Sequence, residues 1–365
     1  MSNITYQIYP DQKIKSDCIH LNFLPLSKSI LRSTIQLILL GAFFCSCVSE
    51  VSERIIVTEF PVKQEVQPVI IQTPPVILAP EAIFVMNDQL WIFQERKELM
   101  FDVFSLPECN YLFSTGSKGR GPDEFIFPEG QTIQAEKDNF TIIDGIEMKT
   151  IVWRPDYGLH TIKSEIVFDQ LTINGFIRLN DSLYCSFADC ATGTTSDFEF
   201  QMINTADGTI NKFSAYPEDL SQKKFDGDRR CQIYIKLLAA NPTKRKFVSL
   251  YNYFKFFRIY SYEGIMEKEI EVRIPPYQVD DVDDWQKRFV FYGKPVVTEQ
   301  YIYAYCSANK EIQVWDWNGN PVVLYSLDQK YYCFTVSEKH KKLFLISTAD
   351  ENLDKIFVFD LTHLR

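Results

Sequence analysis

Apolar and polar residues alternate along most of the chain in short runs, each ending on an aromatic or aliphatic residue before a polar turn. Residues 312–324, Ile-Gln-Val-Trp-Asp-Trp-Asn-Gly-Asn-Pro-Val-Val-Leu, hold the whole phrase. It is a period-two strand, a reversal at Asn318-Gly319, and a second apolar run. Copies of the first run end at Phe104, Trp153, Ile203, Tyr260, Trp315 and Phe359, at separations of 49, 50, 57, 55 and 44 residues. A second register, a polar turn leading into an apolar run, starts at Asn87, Asp138, Asn180, Lys244, Glu299 and Lys341. Six copies about 50 residues apart predict an all-β, six-bladed propeller of four-stranded antiparallel blades, in preference to a sandwich of loosely spaced strands.

In the first unit the pattern predicts strands at 81–85, 90–93, 99–104 and 111–114. The sixth unit supplies three strands before Arg365. Its missing outer strand is expected from residues 51–60, Val-Ser-Glu-Arg-Ile-Ile-Val-Thr-Glu-Phe. Pairing head with tail would close the ring and cover an open edge. Residues 61–80, with Pro61, Pro68, Pro74, Pro75 and Pro80, read as an extended lead-in. The propeller then occupies residues 48–365.

Residues 1–47 follow another pattern. Lys28 and Arg32 precede an apolar run from Leu37 to Cys45, shorter than a bilayer span and suited to a secretory signal. Ser46-Cys47 follows, a small residue before a cysteine, as at a bacterial lipidation site, with Cys47 the expected lipid carrier. A plain buried helix is the competing reading. The long stretch 1–27 points to a translation start downstream of Met1.

The chain carries a net charge of −10, which becomes −12 without residues 1–46. An acidic body with no basic stripe argues against nucleic acid as the partner. Of nine cysteines, Cys185 and Cys190 are the only close pair in the body and are candidates for a disulfide. The scattered His160, His340 and His363 do not read as a zinc site or a catalytic triad.

In a propeller, the loops between second and third strands and the crossovers between blades share one face. The long segments 116–130, 188–197, 216–230, 274–288 and 348–354 fall there, and function concentrates on such loops. Gly116-Ser-Lys-Gly-Arg-Gly-Pro-Asp-Glu-Phe125 is the most distinctive. One reading makes it a crossover anchored by Phe125. The other turns Lys118 and Arg120 toward the central channel, with Glu124 beside them, to hold a ligand. In 277–285, Asp280, Asp283 and Asp284 lie between Tyr277 and Trp285. This is either a solvated acidic rim or a place for calcium or a sugar, with Trp285 as a stacking platform. Arg229 and Arg230 either form ion pairs in a polar turn or clamp a carboxylate. No cofactor is expected beyond a possible calcium ion.

The 116–125 motif, the blade-length repeat and the Ser46-Cys47 leader together resemble the TolB-like six-bladed propeller lipoproteins of Bacteroidetes. The resemblance covers about 51–365 and implies a propeller anchored in the cell envelope, as an outer-membrane lipoprotein. It brings no catalytic residues. The expected function is non-enzymatic binding of an envelope protein or a small ligand, such as a glycan or peptide, with the lipid bilayer met through the anchor. The alternatives are a glycan hydrolase or lyase using carboxylates of the long-loop face, and a sensory or assembly scaffold.

Overall fold

The first strand phrase of the chain becomes the first blade with its predicted boundaries nearly unchanged: Ala82–Met86, Gln89–Phe93, Leu99–Ser105 and Tyr111–Ser117, antiparallel throughout. This is a computed structural model, and it describes residues 54–166, 175–188, 196–276 and 282–364. Blade two follows at Pro128–Ala135, Asn139–Asp144, Glu147–Arg154 and Gly158–Ile166, and blade three at Ile177–Arg178, Leu183–Phe187, Phe198–Asn204 and Thr209–Ala215. Blade four comprises Lys236–Asn241, Lys246–Tyr251, Phe256–Ser261 and Met266–Val272. Blade five comprises Val296–Val297, Tyr301–Cys306, Glu311–Asp316 and Pro321–Ser326. Blade six comprises Cys333–Ser337, Lys342–Ile346 and Lys355–Asp360, plus one strand from elsewhere. All six anchors of the repeat, Phe104 to Phe359, lie in third strands. The first strands of neighbouring blades touch in an unbroken circle and so surround the axis.

Each junction between blades has its own apolar cluster, because both faces of a blade are covered by its neighbours. Flat rings fill them. Trp91 meets Phe101 edge-on with centroids 6.1 Å apart, and Trp315 meets Phe257 at 5.0 Å.

The head-to-tail closure exists, but residues 51–60 do not make it. The chain from Arg54 instead runs round the outside of three blades. Strand β1 (Arg54–Val57) adds in parallel to Glu269–Val272 of blade four. Strand β2 (Lys63–Glu65) adds in parallel to Leu324–Ser326 of blade five. Strand β3 (Val69–Gln72) then pairs antiparallel with Lys355–Val358 and completes blade six. The region read as a lead-in therefore contains the latch. Its prolines stand between the strands, where no ladder N–H is lost: Pro61 before β2, Pro68 before β3, and Pro74 and Pro75 after it.

The expected disulfide is also corrected. Cys185 is a free thiol, fully buried among Ile177, Met202 and Leu238 between blades three and four. Cys190 lies outside the described residues. Cys231, on the short helix α1 (Gly227–Ile233), is disulfide-bonded. Among the described residues, no helix is long and apolar enough to cross a membrane. Cys47 and the rest of the leader lie outside them.

Candidate functional site

The glycine-rich segment carries the chain from the outer strand of blade one over to the inner strand of blade two. Its chemistry is first a latch. Phe125 is buried against Phe101, centroids 5.7 Å apart, in the cluster between the two blades. Glu124 folds back so that its Oε2 accepts the Gly121 N–H at 2.7 Å. A Cβ on Gly119 would lie 1.9 Å from that same oxygen, and one on Gly121 would lie 3.0 Å away. The two glycines are therefore the space in which the Glu124 carboxylate sits.

Blade two holds the far side of the segment. Asp123 accepts the Thr161 N–H at 2.7 Å and pairs with His160 at 3.2 Å. Asp144, buried, accepts the N–H groups of Ile126 and Phe127 at 2.8 and 2.6 Å. Lys149 binds Asp144 at 2.7 Å, donates to the Glu124 carbonyl at 2.7 Å, and lies 5.5 Å from the centre of the Phe125 ring.

Between this latched segment and the outer strands of blade two lies a cleft of about 660 Å³. Arg120, Pro122, Ile126, Phe127, Ile146 and Ile162 line it. Four of these are apolar side chains left largely in water: Phe127 is 68 % exposed, Ile146 60 %, Ile162 53 % and Ile126 48 %. Arg120 is exposed at the edge, and among the described residues it has no hydrogen bond or ion pair. Lys163, also on the cleft, is taken by Glu165 at 2.6 Å. Lys118 is exposed, with its backbone bridged to Phe125.

The other nominated residues divide between two loops that touch. Arg229 and Arg230 lie on α1. Arg229 donates to the Asp283 carbonyl. The Arg230 guanidinium lies over the Tyr216 ring at 4.6 Å, 3.5 Å from Glu218. Lys223 binds the Asp283 carboxylate at 2.9 Å and holds its pKa below the usual range. Asp284 caps a turn through the Gln286 N–H at 3.0 Å and faces Lys287 at 3.4 Å. Trp285 is 73 % exposed beside them. Tyr277 and Asp280 lie outside the described residues. Among the described residues, no three His, Cys, Asp or Glu side chains are grouped to hold a metal ion.

Two features near the axis escaped the sequence. Glu81, leading into the first strand of blade one, is half-buried, and Glu95 comes from the hairpin between the second and third strands. Burial, then the nearby Glu95 and Glu129 carboxylates, raise the Glu81 pKa. Fourteen residues separate the pair in the chain, so no local spacing announces it. Lys294, ahead of blade five, spans the channel to the first strand of blade two, on the opposite side of the ring. Its ammonium donates to the carbonyls of Gln131 at 2.6 Å and Ile133 at 2.9 Å, and burial lowers its pKa to about 8. A third network is internal. Glu199, fully buried, accepts from Lys236 at 2.9 Å, Arg258 at 2.7 Å and Tyr251 at 2.7 Å. Arg258 continues to Glu269 at 2.7 Å, and Glu269 to Arg54 of β1 at 2.6 Å.

The fold recurs in solved structures. A member of the DUF4221 family from Bacteroides vulgatus superposes with a TM-score of 0.56 at 10 % identity, covering 81 % of this chain and 98 % of that one. A candidate exported protein from Bacteroides fragilis superposes at 0.53 and 12 % identity, covering 83 % and 98 %. No protein with a curated description matches the chain in sequence. The model of the TolB-like six-blade propeller family matches residues 62–339. With six blades closed by their own N-terminal segment, and three quarters of the chain matched by that model, the protein belongs to the TolB-like propeller family.

Proposed function

We propose that the protein is an exported, lipid-tethered binding propeller that takes an envelope protein or a small ligand on its long-loop face. The observation that carries this reading is the cleft. A guanidinium without a partner among the described residues stands beside exposed aliphatic side chains, on a segment pinned to two blades. Exposed apolar surface grouped in a concavity and rimmed by charge marks an interaction site. Export is supported by the disulfide at Cys231, a bond of oxidising compartments, and by the Ser46-Cys47 leader. The similar Bacteroides fragilis structure, described as that of a candidate exported protein, points the same way. Cys47 is the residue that carries the lipid.

Photo-crosslinking residues placed on the long-loop face (Phe127, Trp285) and the short-turn face (Tyr157, Ile265) test the binding reading in intact cells. Discrete crosslinked species from the first pair alone are expected; none from that face removes the reading. Mass spectrometry of the mature N-terminus tests the tether, and an unmodified chain starting before Cys47 rules it out.

One observation favours a second reading, a glycan hydrolase. Glu81, on the long-loop side of the channel, has its pKa raised by burial and by Glu95 and Glu129, and a carboxyl with a raised pKa is what glycosidic cleavage uses as its acid. Release of reducing sugar from a glycan panel by the wild type, abolished in Glu81→Gln, would establish it.

A further inference from the structure

We infer that the cleft beside the glycine-rich crossover recognises an extended peptide segment of a partner protein, one that places a carboxylate on Arg120 and aliphatic side chains on Ile126, Ile146 and Ile162. This rests on the binding reading above and names the class of ligand within it.

The polar inventory of the cleft sets the charge of the ligand. Lys149 is committed to Asp144 and the Glu124 carbonyl. Lys163 is committed to Glu165. Ser164 donates to Glu147 at 2.7 Å, and the Thr161 N–H is held by Asp123. Arg120, among the described residues, is left with its donors in water. A planar guanidinium of this kind is matched best by a carboxylate, which takes two parallel hydrogen bonds.

The walls set the rest. A sugar site needs several aimed hydrogen-bonding groups and a flat ring to stack on. Here the walls are branched aliphatics with Phe127, and most nearby polar groups already have partners. An acyl chain escapes water only where it is enclosed. These walls stay about half exposed, so a hydrocarbon chain laid on them would keep much of its own surface wet. A peptide suits an open trough. It needs only side chains seated in the low points, while its backbone remains hydrated. A volume of about 660 Å³ is in the range of small-ligand sites and accommodates a few side chains.

The test uses the full chain and fluorescein-labelled octapeptide pools, read by anisotropy. One pool contains Leu, Ile, Phe, Asp and Glu; in its neutral counterpart Asn and Gln replace the acids. The acidic pool is expected to bind more tightly than the neutral one. Arg120→Glu should weaken the acidic pool by about tenfold or more and leave the neutral pool nearly unchanged. Ile162→Asp should weaken both. Arg120 and Ile162 are exposed, so both variants should fold, and an unchanged melting temperature checks this. The inference is overturned by failure of the acidic pool to bind at about 1 mM, by unchanged affinity of Arg120→Glu for that pool, or by laurate binding that neither pool displaces. Failure here, with crosslinks persisting at Trp285, would sink the peptide cleft and spare the binding propeller. Loss of both would sink both.

Discussion

In blade four the last strand of the repeat, Met266–Val272, is covered along its edge by β1; in blade three its counterpart, Thr209–Ala215, leaves Thr209, Ile210, Asn211 and Lys212 in water. Blade five is covered in the same way, by β2, whereas in blade six β3 is itself the outer strand, paired antiparallel with Lys355–Val358. The interiors differ too. The cluster between blades four and five holds sixteen buried residues, two of them, Val57 and Phe60, from the belt, whereas the cluster between blades two and three holds five among the described residues. Phe60 meets Trp315 at 4.8 Å, and Arg54 extends the buried charge chain outward to Asp219 at 2.6 Å. The repeat thus builds six similar blades, and the segment laid outside three of them makes the halves unequal. Each large apolar side chain so buried contributes about 1.5–3 kcal/mol.

The strongest way to break this comparison is to remove residues 54–72. Deleting the belt exposes three edges and removes the strand that completes blade six, so loss of cooperative folding is expected, read by circular dichroism and calorimetry. A deletion that melts like the full chain would show the belt to be ornament. Next, Glu199→Gln removes the buried carboxylate that Lys236 and Arg258 share, leaving Arg258 to Glu269, and should cost about 3 kcal/mol in urea unfolding.

The open half has its own dependence, on the crossover latch. Gly119→Ala should cost about 1–2 kcal/mol, because its Cβ and the Glu124 carboxylate cannot both occupy the space. In a Glu124→Ala background the same change should cost much less, and additive effects would refute the shared-space account. A smaller effect separates the halves by pH. In the belted half, His363 lies against Tyr325 at 2.7 Å and Tyr303 at 3.2 Å, and burial lowers its pKa from 6.5 to about 4. The unfolded chain takes up this proton first. The contribution is therefore complete above about pH 6.5 and is lost as pH falls toward 4. His363→Gln should flatten the wild-type decline in urea midpoint between pH 7 and 4.5. The smallest effect is expected at the bare edge: Ile210→Asp, at an exposed position, should change stability by less than about 0.5 kcal/mol.

Much of the architecture was legible because side-chain period reports burial. Leu99-Met-Phe-Asp-Val-Phe is a short, nearly continuous apolar run, a strand buried on both faces, and each anchor from Phe104 to Phe359 lies in a third strand. The pattern points to 51–60, with its Arg-Ile-Ile-Val run, as the latch, and the strand that pairs is Val-Ile-Ile-Gln. Both are short β-branched runs. What assigns each to a blade is backbone pairing on a free edge, which leaves no mark in side-chain order. Within the 116–125 motif, Gly119, Gly121, Glu124 and Phe125 carry the folding, and Arg120 makes no hydrogen bond or ion pair among the described residues. The sequence pattern reads Asp283 and Asp284 as a solvated rim or a place for calcium or a sugar, and in the fold Lys223 and Lys287 stand beside them. Glu81 with Glu95, and Lys294 reaching Gln131, depend on curvature of the disc, which a local window does not hold.

The belt also fixes an order of events. Arg54 meets Glu269 across 215 positions of sequence, and β3 waits for strands nearer still to the C-terminus. A nascent chain therefore presents its earliest strands long before their partners exist. Contacts so distant in sequence form late and slowly. Strand β1 waits for blade four, β2 for blade five and β3 for the final strand, so Val69–Gln72 stays bare longest and is the stretch most in need of a chaperone.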